Sequence, residues 1–340
     1  MIKALVNIIT PAYNCGKLIP HLLDSILEQT YPSIEMFVID DGSTDNTKDV
    51  ICSYIKRFEE KGYKLNYIHQ ENQGQSYAVN NALKLVNGEF LLWPDADDWY
   101  CSDDAITKLV TVLKESDDSV GIARCRYCNV EEGNDEVIIN PEFEVVGVPE
   151  KLFRYSLYGG KGFVWTPGGY AIKLCFLDKF IPKREIYTDR HAGQNAQIIF
   201  PYLIYSKCIT IQDVLFCVQI RKQSHSRGMY KGYEHVKERC ESYFLTYKET
   251  INSIRFDDEE TKAECQREVL IHYLTDLYRT TIGYEKGKET RQVYTKLASI
   301  GYEFTREEKL RLQLSYIYGL NTLYSFVKRV VNKINRTISR

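Results

Sequence analysis

The sequence predicts an α/β protein built on a doubly wound parallel sheet, followed by a helical extension at the C-terminus. Before residue 99, four short apolar runs alternate with stretches whose apolar residues recur three and four positions apart. This alternation is typical of strand–helix units joined by right-handed crossovers. A cluster of polar residues follows each apolar run. Because ligands of such sheets bind beyond the carboxyl ends of the strands, the clusters predict a binding site along one sheet edge.

The strands and helices before residue 99 follow from the period of the apolar residues. The four predicted strands cover residues 5–9, 35–39, 64–69 and 90–93. The second helix runs through Val50, Tyr54 and Phe58, and we expect Ser43 or Asp45 to be its N-cap.

Three carboxylates directly follow the fourth strand: Asp95, Asp97 and Asp98. Pro94 ends that strand, because proline has no N–H to donate to a ladder. So much negative charge at the end of a buried strand is costly unless a cation lies there, and Mg²⁺ or Mn²⁺ prefers oxygen ligands. The alternative is a solvated acidic turn that caps the next helix. Polar clusters after the other three strands, converging on the same edge, favour the metal site.

Composition and missing motifs exclude several classes of protein. The net charge of −2 argues against a general nucleic-acid binder. Neither GxGxxG nor GxxxxGK[ST] follows a strand, so a usual dinucleotide fold and a P-loop enzyme are not expected. No apolar run approaches the roughly 18–20 residues that span a bilayer, and the first residues are predicted to be a strand rather than a signal peptide.

The ten cysteines favour a reduced, cytoplasmic setting, because they lack the spacing of a disulfide framework. Cys125 and Cys128 form a CxxC pair, but no second pair or nearby histidine completes a zinc site, so structural zinc is not expected.

Four motifs, in order and at similar spacing, resemble the family 2 glycosyltransferases with the GT-A fold, of the bacterial surface-polysaccharide type. They are Ile-Ile-Thr-Pro-Ala-Tyr-Asn (8–14), Val-Ile-Asp-Asp-Gly-Ser-Thr-Asp (38–45), Glu-Asn-Gln-Gly-Gln-Ser (71–76) and Asp-Ala-Asp-Asp-Trp (95–99). The resemblance is strong over residues 3–130 and weaker to about 228. It implies a GT-A transferase domain with a doubly wound mixed sheet over residues 1–228, and we expect a helical C-terminal region over 229–340.

The resemblance implies an inverting enzyme of the hexosyltransferase type that uses Mn²⁺ or Mg²⁺. Such an enzyme moves a sugar from a nucleotide-diphosphate donor, here expected to be a UDP-sugar, to a hydroxyl of a glycan or lipid-linked acceptor. Polysaccharide biosynthesis in the cytoplasm, at the inner face of the plasma membrane, is the setting that it implies.

Individual positions take expected roles from the same resemblance. Thr10, Pro11 and Tyr13 match the wall of the nucleotide pocket, and the Gly74 turn matches another part of the donor site. Asp41 matches the carboxylate that accepts a hydrogen bond from the pyrimidine, which suits uracil because its N3–H is a donor.

The metal and acceptor positions come from three further segments. Asp95 and Asp97 match the DxD motif that holds the metal on the diphosphate, Asp95 also touches the donor ribose, and Asp98 is a third candidate ligand. His225 lies in the basic segment 221–227, from which a histidine or another basic residue reaches the metal or diphosphate in the family; a structural histidine is the alternative. Trp165 is expected to stack on the acceptor sugar, or else to be a core residue.

The sequence departs from the family at two places. Ala78-Val79-Asn80 replaces Ala-Arg-Asn, so one phosphate-facing cation is missing. Gln194-Asn195 stands where many relatives carry Glu-Asp, whose aspartate is the general base, and an amide cannot take the acceptor's proton. We expect Asp189, the nearest preceding acid, to replace that base.

Two other functions stay open at this point. One is a non-catalytic, nucleotide-sugar-binding partner subunit that has lost its base. The other is a nucleotidyltransferase, which shares metal and nucleotide binding but releases pyrophosphate from a nucleoside triphosphate.

The last 25 or so residues predict a basic amphipathic helix of about six turns. Its apolar stripe consists of Ile317, Leu320, Leu323, Val327, Val331, Ile334 and Ile338. Its cations are Lys328, Arg329, Lys333, Arg336 and Arg340. A helix of this kind binds an anionic membrane surface as a peripheral anchor, or packs on its own domain or on a second copy in a homodimer.

Overall fold

The computed structural model describes residues 2–133, 137–139, 152–158, 166–221 and 232–338. Two sequence-predicted site residues, Trp165 and His225, lie outside these ranges. The chain forms two compact units. One contains Met1–Ser224 and Thr246–Cys265, and the other contains His225–Leu245 and Gln266–Arg340.

Nine strands of the described chain form one mixed sheet in the first unit. They are β1 (Ile2–Ala12), β2 (Ile34–Asp40), β3 (Lys64–His69), β4 (Gly88–Leu92), β5 (Trp99–Tyr100), β6 (Val120–Glu131), β7 (Val137–Ile139), β8 (Tyr170–Lys173) and β9 (Lys207–Ile220). The order across the sheet is β3-β2-β1-β4-β8-β6-β9-β5, and β7 pairs with β6.

Seven helices of the first unit connect these strands, and five more follow β9 in the described chain. The seven are α1 (Ile19–Leu27), α2 (Thr47–Lys61), α3 (Gln75–Leu83), α4 (Ala105–Glu115), α5 (Leu152–Tyr158), α6 (Leu174–Phe180) and α7 (Asn195–Tyr205). The five are α8 (Tyr233–Ser253), α9 (Glu259–Gly283), α10 (Gly287–Ser299), α11 (Arg306–Leu314) and α12 (Leu320–Ile338).

The predicted doubly wound arrangement of the first four strands is confirmed. β1 runs parallel to both β2 and β4, and β2 runs parallel to β3. The chain order therefore reverses beside β1, which is the point where open α/β sheets bind ligands. Phe90, Leu91 and Leu92 of β4 are fully buried, as a strand covered on both faces requires. The sheet is mixed because β8 joins β4 in the antiparallel direction.

The predicted N-cap of α2 was wrong. The helix begins after Asn46, whose side chain makes no capping hydrogen bond. Asp45 instead accepts a hydrogen bond from the backbone N–H of Thr47 at 3.0 Å, and the Ser43 hydroxyl accepts one from the backbone N–H of Asn14 at 2.9 Å. Ser43 thus ties the end of β2 to the turn after β1.

Aromatic side chains pack much of the second unit. Tyr294 stacks on Phe304 with ring centroids 4.0 Å apart, and the Tyr278 hydroxyl donates to the backbone carbonyl of Glu308 at 2.7 Å. The Glu285 carboxylate accepts backbone N–H bonds from Gly319 and Thr322, which fixes the start of α12. Among the described residues, no helix combines the length and the apolarity that crossing a bilayer requires.

Candidate functional site

The carboxylate of Asp41 fixes the loop that joins β3 to α3. It is buried, and one oxygen accepts hydrogen bonds from the Gln70 amide at 2.7 Å and the Gln73 backbone N–H at 2.9 Å. The other oxygen accepts from the backbone N–H of Gly74 at 2.8 Å. Three of roughly four lone-pair positions are therefore used within the protein, which leaves room for one further donor.

Gly74 is required by both conformation and space. Its φ of +107° lies in a region that residues with a side chain rarely adopt, and it precedes the first turn of α3. A Cβ there would lie 2.9 Å from the carbonyl oxygen of Arg190. The glycine thus lets the loop before α3 approach the segment that carries Asp189.

The end of β1 contributes Thr10, Pro11 and Tyr13. Thr10 is fully buried, and its hydroxyl donates to the carbonyl oxygen of Pro94 at 3.0 Å, which ties β1 to the loop after β4. Pro11 is the last residue but one of β1, and Tyr13 is 53% exposed. An exposed ring at a strand's carboxyl end is available to pack on a flat ligand.

Asp95 accepts amide hydrogen bonds from two helices. Gln75 at the start of α3 donates to its Oδ1 at 3.1 Å, and Gln194, which precedes α7, donates to the same atom at 3.2 Å. Burial and the charge of Asp97 raise the pKa of Asp95 to about 7, although both amide bonds act in the opposite direction.

Asp98 binds the end of β9, and Asp97 binds Arg221, the residue that follows it. Asp98 is buried and accepts the backbone N–H of Gln219 at 3.0 Å, while Asp97 forms an ion pair with the Arg221 guanidinium, whose Nε lies 3.1 Å from Oδ2. Burial, followed by the charges of Asp95 and Asp97, raises the pKa of Asp98 well above its ordinary value. Arg221 belongs to the basic segment that the sequence predicted to reach this site.

The chemistry of this cluster suits a hard divalent cation. Its donors are carboxylate oxygens, the ligands that Mg²⁺ and Mn²⁺ prefer. A cation would also relieve the mutual repulsion that raises the pKa of Asp95 and Asp98. Within the described part of the chain, the three carboxylates do not gather around one point, because each is held by a different protein group.

Asp189 lies on the segment before α7, held against α3 by its backbone. The Ser76 hydroxyl donates to the carbonyl oxygen of Asp189 at 2.9 Å, and the carboxylate accepts the backbone N–H of His191 at 3.0 Å. Ser76 follows Gln75, which binds Asp95. Consecutive residues of α3 therefore contact Asp95 and the segment that carries Asp189.

Comparison with known proteins identifies the domain that carries these strand ends. The family model described as glycosyl transferase family 2 matches residues 7–171. These residues form a family 2 glycosyltransferase domain. The matched range includes Thr10, Asp41 and Asp95, and it ends before Gln194 and Arg221.

Among its relatives, glycosyltransferase GlyA of Streptococcus pneumoniae serotype 4 is 27% identical over 236 residues. The alignment covers 68% of this chain but only 32% of GlyA, so the chain spans about a third of that protein's length.

Two solved structures share the fold of the glycosyltransferase domain. TarS of S. aureus (residues 1–349), in complex with UDP-GlcNAc, superposes with a TM-score of 0.59 at 17% identity, covering 83% of this chain and 81% of TarS. Mannosyltransferase PcManGT of Pyrobaculum calidifontis, in complex with GDP-Man and Mn²⁺, superposes with a TM-score of 0.51 at 19% identity, covering 94% and 86% of the two chains. The predicted GT-A fold is confirmed.

Gln194 and Asn195, which the resemblance predicted to stand in place of Glu-Asp, lie where α7 begins. Gln194 is 1% exposed and directs its amide at Asp95, while the Asn195 side-chain oxygen accepts the indole N–H of Trp93 at 3.2 Å. A glutamate at 194 would bring a second carboxylate to Asp95. The amide instead supplies a donor, which lowers the electrostatic cost of ionising Asp95.

Sequence reasoning did not identify Gln75 and Gln194 as partners of Asp95. Neutral amides leave no charge pattern in a sequence, and 119 positions separate the two glutamines. The one available signal is position, because each glutamine stands at the first turn of a helix that begins at this sheet edge.

The raised pKa of Asp95 predicts how the stability of the ligand-free protein depends on pH. Its folded-state value of about 7 exceeds the ordinary 3.8, so the folded protein binds the proton more tightly. The contribution of this tighter proton binding to the free energy of unfolding is complete below pH 3.8 and is lost as the pH rises through 7. Since one pKa unit corresponds to about 1.4 kcal/mol, Asp95→Asn should raise the unfolding free energy at pH 8 by on the order of 1–4 kcal/mol.

Urea unfolding in the presence of a chelator, at pH 5 and pH 8, measures this effect. The gain from Asp95→Asn should be larger at pH 8 than at pH 5. The exposed Asp118→Asn serves as the matched control and should change stability little at either pH. A variant no more stable than the wild type at pH 8 would contradict the assigned electrostatics.

Proposed function

We propose that this chain transfers a sugar from a nucleotide-diphosphate donor to a hydroxyl of a glycan or lipid-linked acceptor, with the aid of Mn²⁺ or Mg²⁺. The supporting observation is the ring of hydrogen bonds at the switch point of the sheet. It joins Thr10 to Pro94, Asp41 to Gly74, and Gln75 to Asp95. These bonds connect the ends of β1, β2 and β4 and the start of α3 to one another.

A uridine nucleotide is the proposed donor. The remaining acceptor position of Asp41 matches the N3–H of uracil, and the exposed Tyr13 ring is available to stack on the base. TarS, a protein of the same fold, was solved with UDP-GlcNAc, whereas PcManGT was solved with GDP-Man. UDP-GlcNAc and GDP-Man are both nucleotide-diphosphate sugars, which is the proposed class of donor.

Asp95 and Asp97, with Asp98 beside them, are the proposed metal-holding residues. A divalent ion held there would neutralise charge on the departing diphosphate, which is the Lewis-acid role of such metals. Arg221, already at Asp97, supplies a guanidinium suited to phosphate oxygens. The position of His225, proposed as a further ligand, is outside the described residues.

Asp189 is the proposed general base of an inverting reaction. The acceptor hydroxyl attacks the anomeric carbon opposite the departing diphosphate, and the Asp189 carboxylate takes the hydroxyl proton. Ser76 fixes the backbone of Asp189, which limits the movement of the carboxylate. Trp165, proposed to stack on the acceptor sugar, also lies outside the described residues.

A non-catalytic role is the second candidate, favoured by the amides of Gln194 and Asn195 at the start of α7. Neither side chain takes a proton at neutral pH. A chain of this kind would bind the nucleotide sugar and support a catalytic partner. Turnover of the sugar donor separates the two candidates, since a partner subunit binds without releasing nucleoside diphosphate.

The metal assignment predicts that Asp97→Asn weakens Mn²⁺-dependent binding of UDP-GlcNAc or GDP-mannose at least about tenfold, or 1.4 kcal/mol. The variant removes a charged ligand and also the partner of Arg221. Isothermal titration with and without Mn²⁺ measures the effect. Asp213→Asn, whose carboxylate pairs with Lys108 at 2.7 Å, is the control and should bind normally. Equal donor affinity for Asp97→Asn and the wild type would exclude the assignment.

The base assignment predicts that Asp189→Asn lowers kcat by about 10²–10⁴-fold and leaves donor affinity unchanged. Asparagine preserves an oxygen for the His191 N–H but cannot take a proton. Release of nucleoside diphosphate in the presence of acceptor measures kcat. The exposed Glu185→Gln is the control, because it removes a nearby acid that pairs only loosely with Lys84 at 3.6 Å. Wild-type turnover by Asp189→Asn would identify another base.

An anionic membrane surface is the proposed partner of α12. Leu323, Phe326 and Val330 are 57%, 58% and 43% exposed on one side of this helix. Lys328 and Arg329 add positive charge, as do three further cations toward the end of the chain. Cations near such a surface contribute on the order of 1 kcal/mol each. This anchor would hold the enzyme near a lipid-linked acceptor.

Replacing this apolar face in the full-length chain tests the membrane contact. Phe326→Ser with Val330→Ser should abolish flotation with vesicles that contain anionic lipid. The exposed Asn332→Ser, on the opposite side of the helix, should float like the wild type. Wild-type flotation should weaken with salt, because part of the attraction is electrostatic. A wild type that does not float but forms a dimer, which the double variant disrupts, would assign the face to a second copy.

A further inference from the structure

Three cysteines from separate parts of the sequence meet beside the acidic segment Asp95–Asp98. Among the described histidine, cysteine and acidic residues, Cys101, Cys128 and Cys217 are the one group of at least three whose ligand atoms all lie within 4.8 Å of one another. Cys128 and Cys217 are register partners on the parallel strands β6 and β9, with their sulfurs 2.9 Å apart. Cys101 follows β5, and its thiol lies 3.3 Å from the carbonyl oxygen of Val214.

We propose that Cys101, Cys128 and Cys217 bind one thiophilic metal ion of the Zn²⁺ class, with a fourth position open to solvent. Thiolates are the protein ligands that such ions prefer. With Zn–S bonds of about 2.3 Å in a tetrahedral site, ligand sulfurs lie about 3.8 Å apart. This value falls between the 2.9 Å that separates the sulfurs of Cys128 and Cys217 and the 4.8 Å limit of the group, so side-chain shifts of about 1 Å suffice.

Burial and access fit a metal site. Cys128 and Cys217 are 2% and 5% exposed, whereas Cys101 is exposed and gives the ion a route from solvent. Cys101 lines a surface pocket of about 440 Å³ together with the acidic residues Glu28 and Asp103, whose negative charge attracts cations.

The site would join three strands next to the acidic segment. Cys217 pairs with Trp99, the residue that follows Asp98, and Gln219 two positions later donates to Asp98. A metal ion would therefore fasten β5, β6 and β9 at the place where β9 supports the carboxylates. A disulfide between Cys128 and Cys217 would use only two of the three sulfurs and would leave Cys101 without a function.

Zinc binding by the reduced, full-length protein tests the proposal independently of sugar transfer. Titration against a chromophoric chelator should detect one tightly bound equivalent of Zn²⁺, and Co²⁺ should give a thiolate charge-transfer band. Cys101→Ser, an exposed change that preserves size, should weaken zinc binding at least tenfold. Cys52→Ser, at an exposed thiol on α2, is the matched control and should retain the site. Asp97→Asn should also retain the zinc site, which distinguishes the cysteine site from the acidic segment.

Thermal unfolding provides a second measurement. Zinc should raise the Tm of the wild type and of Cys52→Ser by more than that of Cys101→Ser. Absence of a stoichiometric equivalent would overturn the proposal, as would unchanged zinc affinity in Cys101→Ser. A Cys128–Cys217 disulfide in the freshly prepared protein, found by non-reducing peptide mapping, would also overturn it and assign the cluster to thiol oxidation.

Discussion

The charge of Asp95 at the end of β4 is the constraint on which the arrangement of the sheet edge depends. A carboxylate there, beside Asp97 and Asp98, is unfavourable unless donors surround it. The protein supplies Gln75 from α3 and Gln194 from α7. Each donor comes from the start of a helix, where the helix dipole also favours negative charge. The two amides therefore offset part of the repulsion among the acids, because both hydrogen bonds favour the ionised form of Asp95.

The parts of the fold that follow from local pattern could be predicted from the sequence. The bounds of β3 match those expected from residues 64–69, and the parallel order of β1 to β4 follows from the alternation of strands and helices. The N-cap of α2 was misplaced because the side chains of Ser43 and Asp45 both suit an N-cap. In the structure Ser43 binds the turn after β1, and Asp45 binds the backbone N–H of Thr47. The capping preference of a residue type does not determine which of several neighbouring residues caps a helix when a second loop binds the same hydroxyl.

The candidate site could be predicted only in part from the sequence. Asp41, Asp95 and Asp97 stand out as charged residues at strand ends. In the basic segment after β9 the sequence singled out His225, whereas the residue that the structure shows at Asp97 is Arg221. The sequence did not show that Asp41 also holds the loop ending at Gly74 through three hydrogen bonds. Two of these three bonds come from backbone N–H groups, which every residue except proline carries, so no residue type marks them.

Local sequence also did not show which cysteines meet in the fold. The CxxC spacing draws attention to Cys125 and Cys128, yet Cys125 packs in the hydrophobic core while Cys128 meets Cys101 and Cys217. Successive strand residues point to opposite faces, and the register of β6 shifts on both sides of Arg126. Two cysteines three apart on a strand therefore need not share a face, whereas in-register cysteines on paired strands do. The pairing of β6 with β9, which only the fold specifies, decides which thiols meet.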